Sequence, residues 1–237
     1  MALDPVKALF FDVFGTVVDW RTSIVRELEE FAANHDAQAD WVAFADDWRG
    51  LYQPSMDAIR RGDREWRNLD TLHRESLITL LSRHNIEALT EEEIDHLNKA
   101  WHRLDPWPDS VEGMTRLRKK YTLATLSNGN IALLVNMAKR AGLPWDAVLG
   151  AEPARAYKPL PHCYTRNAEL LGREPEQCML VAAHNDDLAA AQALGLRTAF
   201  VARPTEYGPD QKNDVEATGD WDITTDSMTG LADALGC

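Results

Sequence analysis

Val6-Lys7-Ala8-Leu9-Phe10-Phe11-Asp12-Val13-Phe14-Gly15-Thr16 is the stretch on which the reading of this chain turns. Residues 6–13 form an apolar run rich in Val and Phe, broken near its end by one carboxylate and closed by the turn signal Phe14-Gly15-Thr16. That is the pattern of a buried strand. Further strand candidates lie much later, at 121–127, 147–150, 179–183 and 197–201. Between them run helical patterns, 131–141 closed by Gly142 and followed by Pro144, and 186–194 closed by Gly195. A last strand and helix, 222–225 and 228–235, complete the alternation. Strands alternating with helices of this length predict an α/β fold, a Rossmann-like and mostly parallel sheet covered on both faces.

The region from 20 to 104 departs from that rhythm and contains no strand candidate. Trp41, Phe44, Trp48, Leu51 and Tyr52 recur at helical spacing, as do Leu72, Leu77, Leu80 and Leu81. An all-α cap domain over 20–104 is therefore expected, inserted into an α/β core domain made of 1–19 and 105–237. Asp105-Pro106-Trp107-Pro108-Asp109 reads as the return linker.

Composition narrows the function classes. The chain has 237 residues and 45% hydrophobic content, enough for one good-sized core and a smaller second one. Its apolar runs are too short to span a bilayer, and its start lacks the pattern of a signal peptide. Cys163, Cys178 and Cys237 are scattered without metal-ligand spacing, and the odd count reads as reduced thiols. The formal net charge of −13 repels nucleic acid and anionic lipid, and no basic patch offsets it. A soluble cytoplasmic protein with neither nucleic acid nor membrane as a partner is expected.

In open parallel sheets, ligands bind beyond the carboxyl ends of the strands. Four polar clusters fall there: Asp12, Ser127-Asn128-Gly129-Asn130, Lys158 after the third strand candidate, and His184-Asn185-Asp186-Asp187. Each has a purely structural reading. Asp12 suits a carboxylate bonding the amides of the next turn, and Ser127 suits a helix N-cap. Lys158 suits a solvated loop, and Asp187 a first helical turn favoured by the dipole. Taken together they have a chemical reading, because a dry carboxylate needs a nearby cation to stay ionised and must be ionised to attack.

Phe10-Phe11-Asp12-Val13-Phe14-Gly15-Thr16, Leu126-Ser127-Asn128-Gly129, Tyr157-Lys158-Pro159 and the acidic cluster ending in Asp187 resemble the haloacid dehalogenase superfamily, and within it the (S)-2-haloacid dehalogenases of type II. The resemblance covers nearly the whole chain, cap insertion included. Two departures from the superfamily's phosphatases bear on the chemistry. Phe14 stands where they carry a second Asp that protonates the leaving alcohol. Val181-Ala182-Ala183 stands where an early acid of the fourth motif holds magnesium, which leaves too few oxygen ligands for an octahedral site. No metal and no other cofactor is expected.

The resemblance implies that Asp12 attacks C2 of a small anionic 2-haloacid in line, expels halide with inversion, and forms an ester that water then hydrolyses. It implies that Thr16 orients Asp12, that Lys158 keeps it ionised, and that Asp187 positions or deprotonates the water. Ser127 would hold the substrate carboxylate and Phe14 would line the substrate site. Arg49 and Asn128 would receive the halide; Arg49 lies on the flank of the cap's aromatic stripe, where an arginine either faces a cleft or snorkels. Tyr164 matches a tyrosine near the site, with core packing as its alternative. Many type II enzymes carry serine at Ala182 and asparagine at His184, so His184 is a further contact for water or halide. Family members are commonly homodimers. Three rivals stand beside this reading: a hydrolase that opens a strained ring of the azetidine-2-carboxylate type, a phosphatase or phosphonatase, and a non-catalytic binding protein.

Overall fold

The opening run forms β1 (Ala8–Phe11), whose four residues are all fully buried, as expected of a strand covered on both faces. The computed structural model describes residues 5–35, 38–86 and 89–237; the first four residues, part of the start read for a targeting signal, lie outside them. The chain continues through β2 (Val18–Asp19) and five helices, α1 (Trp20–His35), α2 (Trp41–Gly50), α3 (Tyr52–Arg60), α4 (Leu69–Arg83) and α5 (Glu91–Asn98), to β3 (Asp105–Pro106) and α6 (Ser110–Leu117). It then alternates through β4 (Thr122–Thr125), α7 (Ile131–Ala141), α8 (Ala151–Ala154), α9 (Pro161–Leu170), β5 (Cys178–Ala182), α10 (Asn185–Gln192), β6 (Arg197–Val201), β7 (Ile223–Thr225) and α11 (Met228–Ala234). The sheet order is β4-β1-β5-β6-β7 with every pairing parallel, so the expected α/β core with a helical cap is what forms.

Register places the site. Phe11 pairs with Thr125 on one side and Val181 on the other. The residues that follow these three strands, Asp12, Ser127-Asn128 and His184, therefore emerge at one edge of the sheet.

The expected strand at 147–150 is corrected. Only the isolated bridges Ala124↔Ala147 and Ser127↔Gly150 occur there. The Thr125 hydroxyl donates to the Leu149 carbonyl at 2.7 Å and accepts from the Leu149 amide at 2.8 Å, occupying the backbone groups that a continuous ladder would use. Gly150 then runs close to the second motif: a Cβ there would lie 2.1 Å from the Ser127 carbonyl oxygen.

Three of the cap helices, α2, α4 and α5, begin at side-chain caps. Asp40 accepts from the Ala43 amide, Asn68 from Thr71, and Thr90 forms a capping box with Glu93. Trp20, Phe44, Trp48 and Trp101 are fully buried at the centre of this layer. The return linker contributes more than a crossing: β3 pairs antiparallel with β2, a ribbon of two residues a side that is too short to show periodicity. Asp105 on this ribbon pairs with Arg26 and with Arg140, and the Ser110 hydroxyl donates to the Val17 carbonyl at 2.7 Å.

Candidate active site

Asp12 follows β1 and is 7% exposed. The Lys158 ammonium donates to its Oδ1 at 2.8 Å and the Thr16 hydroxyl to its Oδ2 at 2.9 Å. Thr16 is itself fixed, its hydroxyl accepting from the Ala183 amide at 2.9 Å. His184 Nδ1 approaches Asp12 Oδ2 at 3.1 Å. Burial alone would raise the Asp12 carboxyl, but the charge of Lys158 and the contact with His184 outweigh it and hold the group well below the usual carboxylate range. Asp12 is thus an ionised carboxylate in a largely dry site.

Lys158 also bonds Asp187, so its ammonium lies between two carboxylates. Burial acts against that charge, Asp12 and Asp187 outweigh it, and the ammonium stays protonated beyond the ordinary lysine range. The other oxygen of Asp187 accepts from the Tyr164 hydroxyl at 2.5 Å. Tyr164 is a core residue by burial and a site residue by its hydroxyl.

His184 has a second carboxylate on its far side: Nε2 stands 2.8 Å from Glu206 Oε2. Burial lowers its pKa, while the charge of Glu206 and the hydrogen bonds to Asp12 and Glu206 raise it well above 6.5. At neutral pH it is an imidazolium donating from both ring nitrogens. Glu206, 1% exposed, also accepts from Trp20 Nε1 at 2.9 Å. No motif pointed to Glu206, which lies in the loop between β6 and β7. The one trace of it is at Gly15, where φ is +86° and a Cβ would meet Glu206 Oε1 at 2.1 Å. The turn after the nucleophile thus needs glycine both for its backbone and for the carboxylate packed against it.

On the cap side, the Arg49 guanidinium lies 4.2 Å from the Tyr52 ring centre and 5.3 Å from that of Trp20. Its Nη2 stands 4.0 Å from Glu206 Oε1, and its buried Nη1 has no hydrogen-bond partner. A buried, charged donor left open is costly unless an anion meets it. Asn128 Oδ1 accepts from the Lys158 amide at 2.9 Å, so its NH2 is the group turned to the Tyr52 hydroxyl on the cavity wall. Phe14 packs edge-on against Tyr52 and Trp101.

One cavity of about 450 Å³ is lined by Asp12, Phe14, Arg49, Asn128, Lys158, Tyr164, His184 and Asp187. Of the residues singled out from the sequence, Thr16 and Ser127 stand behind this wall. Ser127 is fully buried, and its hydroxyl accepts from the Gly129 amide at 3.1 Å. Tyr52 was read as a member of the aromatic stripe only, yet it lines the cavity as well.

This donor set does not suit Mg²⁺, which demands near-octahedral oxygen ligation. The oxygens of both carboxylates are taken, an ammonium separates them, and an imidazolium flanks Asp12. What the arrangement offers is a charged oxygen nucleophile and a cationic side chain on the walls of one small cavity.

A family model described as a haloacid dehalogenase-like hydrolase matches residues 6–195. The crystal structure of a defluorinating L-2-haloacid dehalogenase is 51% identical and aligns with a TM-score of 0.96 over 98% of this chain and 96% of that one. That of a second L-2-haloacid dehalogenase is 45% identical, with a TM-score of 0.95 over 98% and 99%. Among curated proteins, (S)-2-haloacid dehalogenase 4A of Burkholderia cepacia is 28% identical over 211 residues, 86% of this chain and 88% of the relative.

Proposed function

Because the chain belongs to the haloacid dehalogenase-like hydrolase family, we propose that it hydrolyses short 2-haloalkanoic acids to 2-hydroxy acids through an aspartyl ester, with inversion at C2. The observation that carries this reading is that ionised Asp12 and the Arg49 cation line one cavity, with Phe14 where a proton-transferring acid would otherwise stand.

In this mechanism an Asp12 oxygen attacks C2 as the carbon–halogen bond breaks on the opposite side. The halide takes the electron pair and is received by Arg49 and the Asn128 NH2. Backbone amides of the turn after β4 hold the substrate carboxylate, the buried Ser127 hydroxyl fixing that turn from behind through the Gly129 amide, and Phe14 lines the alkyl side. Ester formation removes the charge on Asp12, so His184 loses one of its two anionic partners and its proton affinity falls. Release of its Nδ1 proton to solvent leaves a neutral imidazole, its Nε2–H still held by Glu206. Nδ1 then takes a proton from the water that attacks the Asp12 carbonyl carbon. The tetrahedral intermediate collapses, the carboxyl proton passes to the departing alkoxide, and Asp12 and imidazolium are restored. Asp187, with both oxygens engaged by Lys158 and Tyr164, serves this scheme by positioning rather than by taking the water's proton.

The strained-ring reading needs a proton delivered at the leaving group. The groups at that end are Arg49, which keeps its protons, and two phenols, Tyr207 and Tyr52, the latter's hydroxyl held by burial above its ordinary value. A phosphatase is disfavoured by Phe14 and by Asp12 and Asp187, whose oxygens are already bonded by Lys158, Thr16, His184 and Tyr164. The reading also carries a core domain of 1–19 and 105–237, a cap domain of 20–104, a homodimer and a cytoplasmic location. Among the described residues, no helix is long and apolar enough to cross a membrane.

The test is halide release from chloro-, bromo- and fluoro-acids, with chiral chromatography of the lactate formed from each enantiomer of 2-chloropropionate. The (S)-substrate should give (R)-lactate, unaffected by chelator, and the (R)-substrate should be nearly inert. Equal rates for both enantiomers, retention of configuration, or rescue by Mg²⁺ after chelation would overturn the scheme.

A further inference from the structure

Arg49 lines two cavities. Beside the site cavity, a second space of about 330 Å³ is lined by Trp20, Asp46 and Gly50 and shares Arg49, Tyr52, Gln53 and Tyr207 with it. Its outer rim reaches solvent, since Gly50 is exposed, Tyr207 is 42% exposed and the Asp46 side chain is 43% exposed. We propose that this space is the exit for the halide, so that the leaving ion passes Arg49 and departs between Gly50 and Tyr207 rather than returning past Asp12. The proposal rests on the dehalogenase reading and adds to it a separate path for one product.

The geometry of displacement asks for such a path. In-line attack puts the halogen on the side of C2 remote from Asp12, so the newly formed ester lies between the ion and the nucleophile's end of the cavity. Through the second space nothing of the substrate stands in the way. The electrostatics agree. The site cavity is also lined by Asp186 and Asp214, which repel an outgoing anion, while its Arg60 is already paired with Asp57. In the second space the one carboxylate, Asp46, is paired with Arg21 through two bonds of 2.7 Å. Apart from Gly50, Gln53 and Tyr207, the remaining lining is the Arg49 cation on the rings of Trp20 and Tyr52, a surface suited to a weakly hydrated anion.

Gly50 makes the idea testable. It is the last residue of α2, and a Cβ added there meets nothing within 4 Å. Because Gly50 itself lines the second space, alanine, leucine and tryptophan there narrow its mouth stepwise without crowding the backbone. In single turnovers of (S)-2-chloropropionate and (S)-2-bromopropionate, quenched samples analysed by mass spectrometry report the ester, and a stopped-flow halide indicator reports the free ion.

Across Gly50→Ala, Gly50→Leu and Gly50→Trp, ester formation should stay within about twofold of wild type. Halide appearance should slow stepwise, by at least about tenfold in Gly50→Trp, and more for bromide than for chloride. Halide released at the wild-type rate by all three variants would overturn the proposal. So would ester formation falling in parallel with halide release, since the side chains would then be disturbing Arg49 rather than closing a passage. A wild-type protein that forms no ester at all is a different result, which removes the dehalogenase reading itself.

Discussion

The two walls of the cleft are built on opposite principles. On the core wall the charges about the nucleophile are answered: Asp12 by Lys158, Thr16 and His184, Asp187 by Lys158 and Tyr164. On the cap wall, Arg49 rests on aromatic faces with Nη1 unpartnered, and behind it both ring nitrogens of His73 and Nε1 of Trp101 lack partners. A fully bonded nucleophile is oriented before substrate arrives and needs no reorganisation during attack. A donor left open gains its partner only as charge develops on the departing atom, which is where added binding accelerates a reaction instead of merely tightening substrate.

The largest test of that contrast is Asp12→Asn. The amide is nearly isosteric and keeps the fold, but its oxygen is a very weak nucleophile, so halide release should fall by at least about ten-thousandfold. Single turnover of the wild type in ¹⁸O-water should label Asp12 before product. Label confined to product would mean that water attacks C2 directly and that the bonded core wall is not the nucleophile.

Lys158→Met comes next and reads out in stability. It leaves two buried carboxylates facing each other without their cation, a loss of about 3–5 kcal/mol in denaturant unfolding. A variant as stable as wild type would show that solvent or another cation reaches the pair. On the opposite wall, Arg49→Lys keeps the charge and loses the planar fork, and kcat/KM should drop by about a hundredfold with the fold unchanged. A rate near that of wild type would make the open donor incidental.

A smaller effect separates the walls by pH. The raised pKa of His184 means that its stabilising contribution is complete below pH 6.5 and is lost as pH rises through the elevated folded-state value. The gap in unfolding free energy between wild type and His184→Gln should therefore shrink toward alkaline pH. Asp12 behaves with the opposite sign, its contribution present above pH 3.8 and lost as pH falls through its depressed value. A His184 gap that widens with pH would contradict the imidazolium between two carboxylates. The smallest change belongs to His73, whose pKa burial pushes down to about 3 and which stacks on Trp101 at 4.4 Å. His73→Phe should alter stability by no more than about 1 kcal/mol, since it removes two unpaired polar atoms while keeping a flat ring. A loss of several kcal/mol would show that those nitrogens have partners after all.

The core wall was legible because its residues sit at strand ends, and strand ends follow from runs of buried apolar residues punctuated by Gly and Pro. The strand at Arg197–Val201 and the helix at Ile131–Ala141 have the expected bounds. The strand expected at 147–150 was a run of the right composition, but the Thr125 side chain claims the backbone groups it would have paired. Helices α6 and α9 escaped notice, the first crowded against the return linker and the second started by Pro161 directly after the lysine motif. The partner of His184 was beyond reach, because Glu206 lies in a Pro- and Gly-rich loop without periodicity, and only the folded chain brings it to Gly15. Arg49 was found at the edge of its stripe, whereas the unpaired state of Nη1 is a property of packing alone.

The narrow ribbon of β2 and β3 has a consequence for how far this architecture can vary. Both strands through which the chain leaves and re-joins the sheet are hydrogen-bonded to each other, Val18 beside Pro106 and Asp19 beside Asp105. Everything between them is, in polymer terms, a loop whose ends are already closed. The entropy of closing such a loop grows only with the logarithm of its length, about 0.6 kcal/mol for each doubling. Helices can be lengthened, added or removed beyond the ribbon with little penalty to the sheet below, so long as whatever is grafted there covers its own apolar faces and presents a cation to the carboxylate beneath.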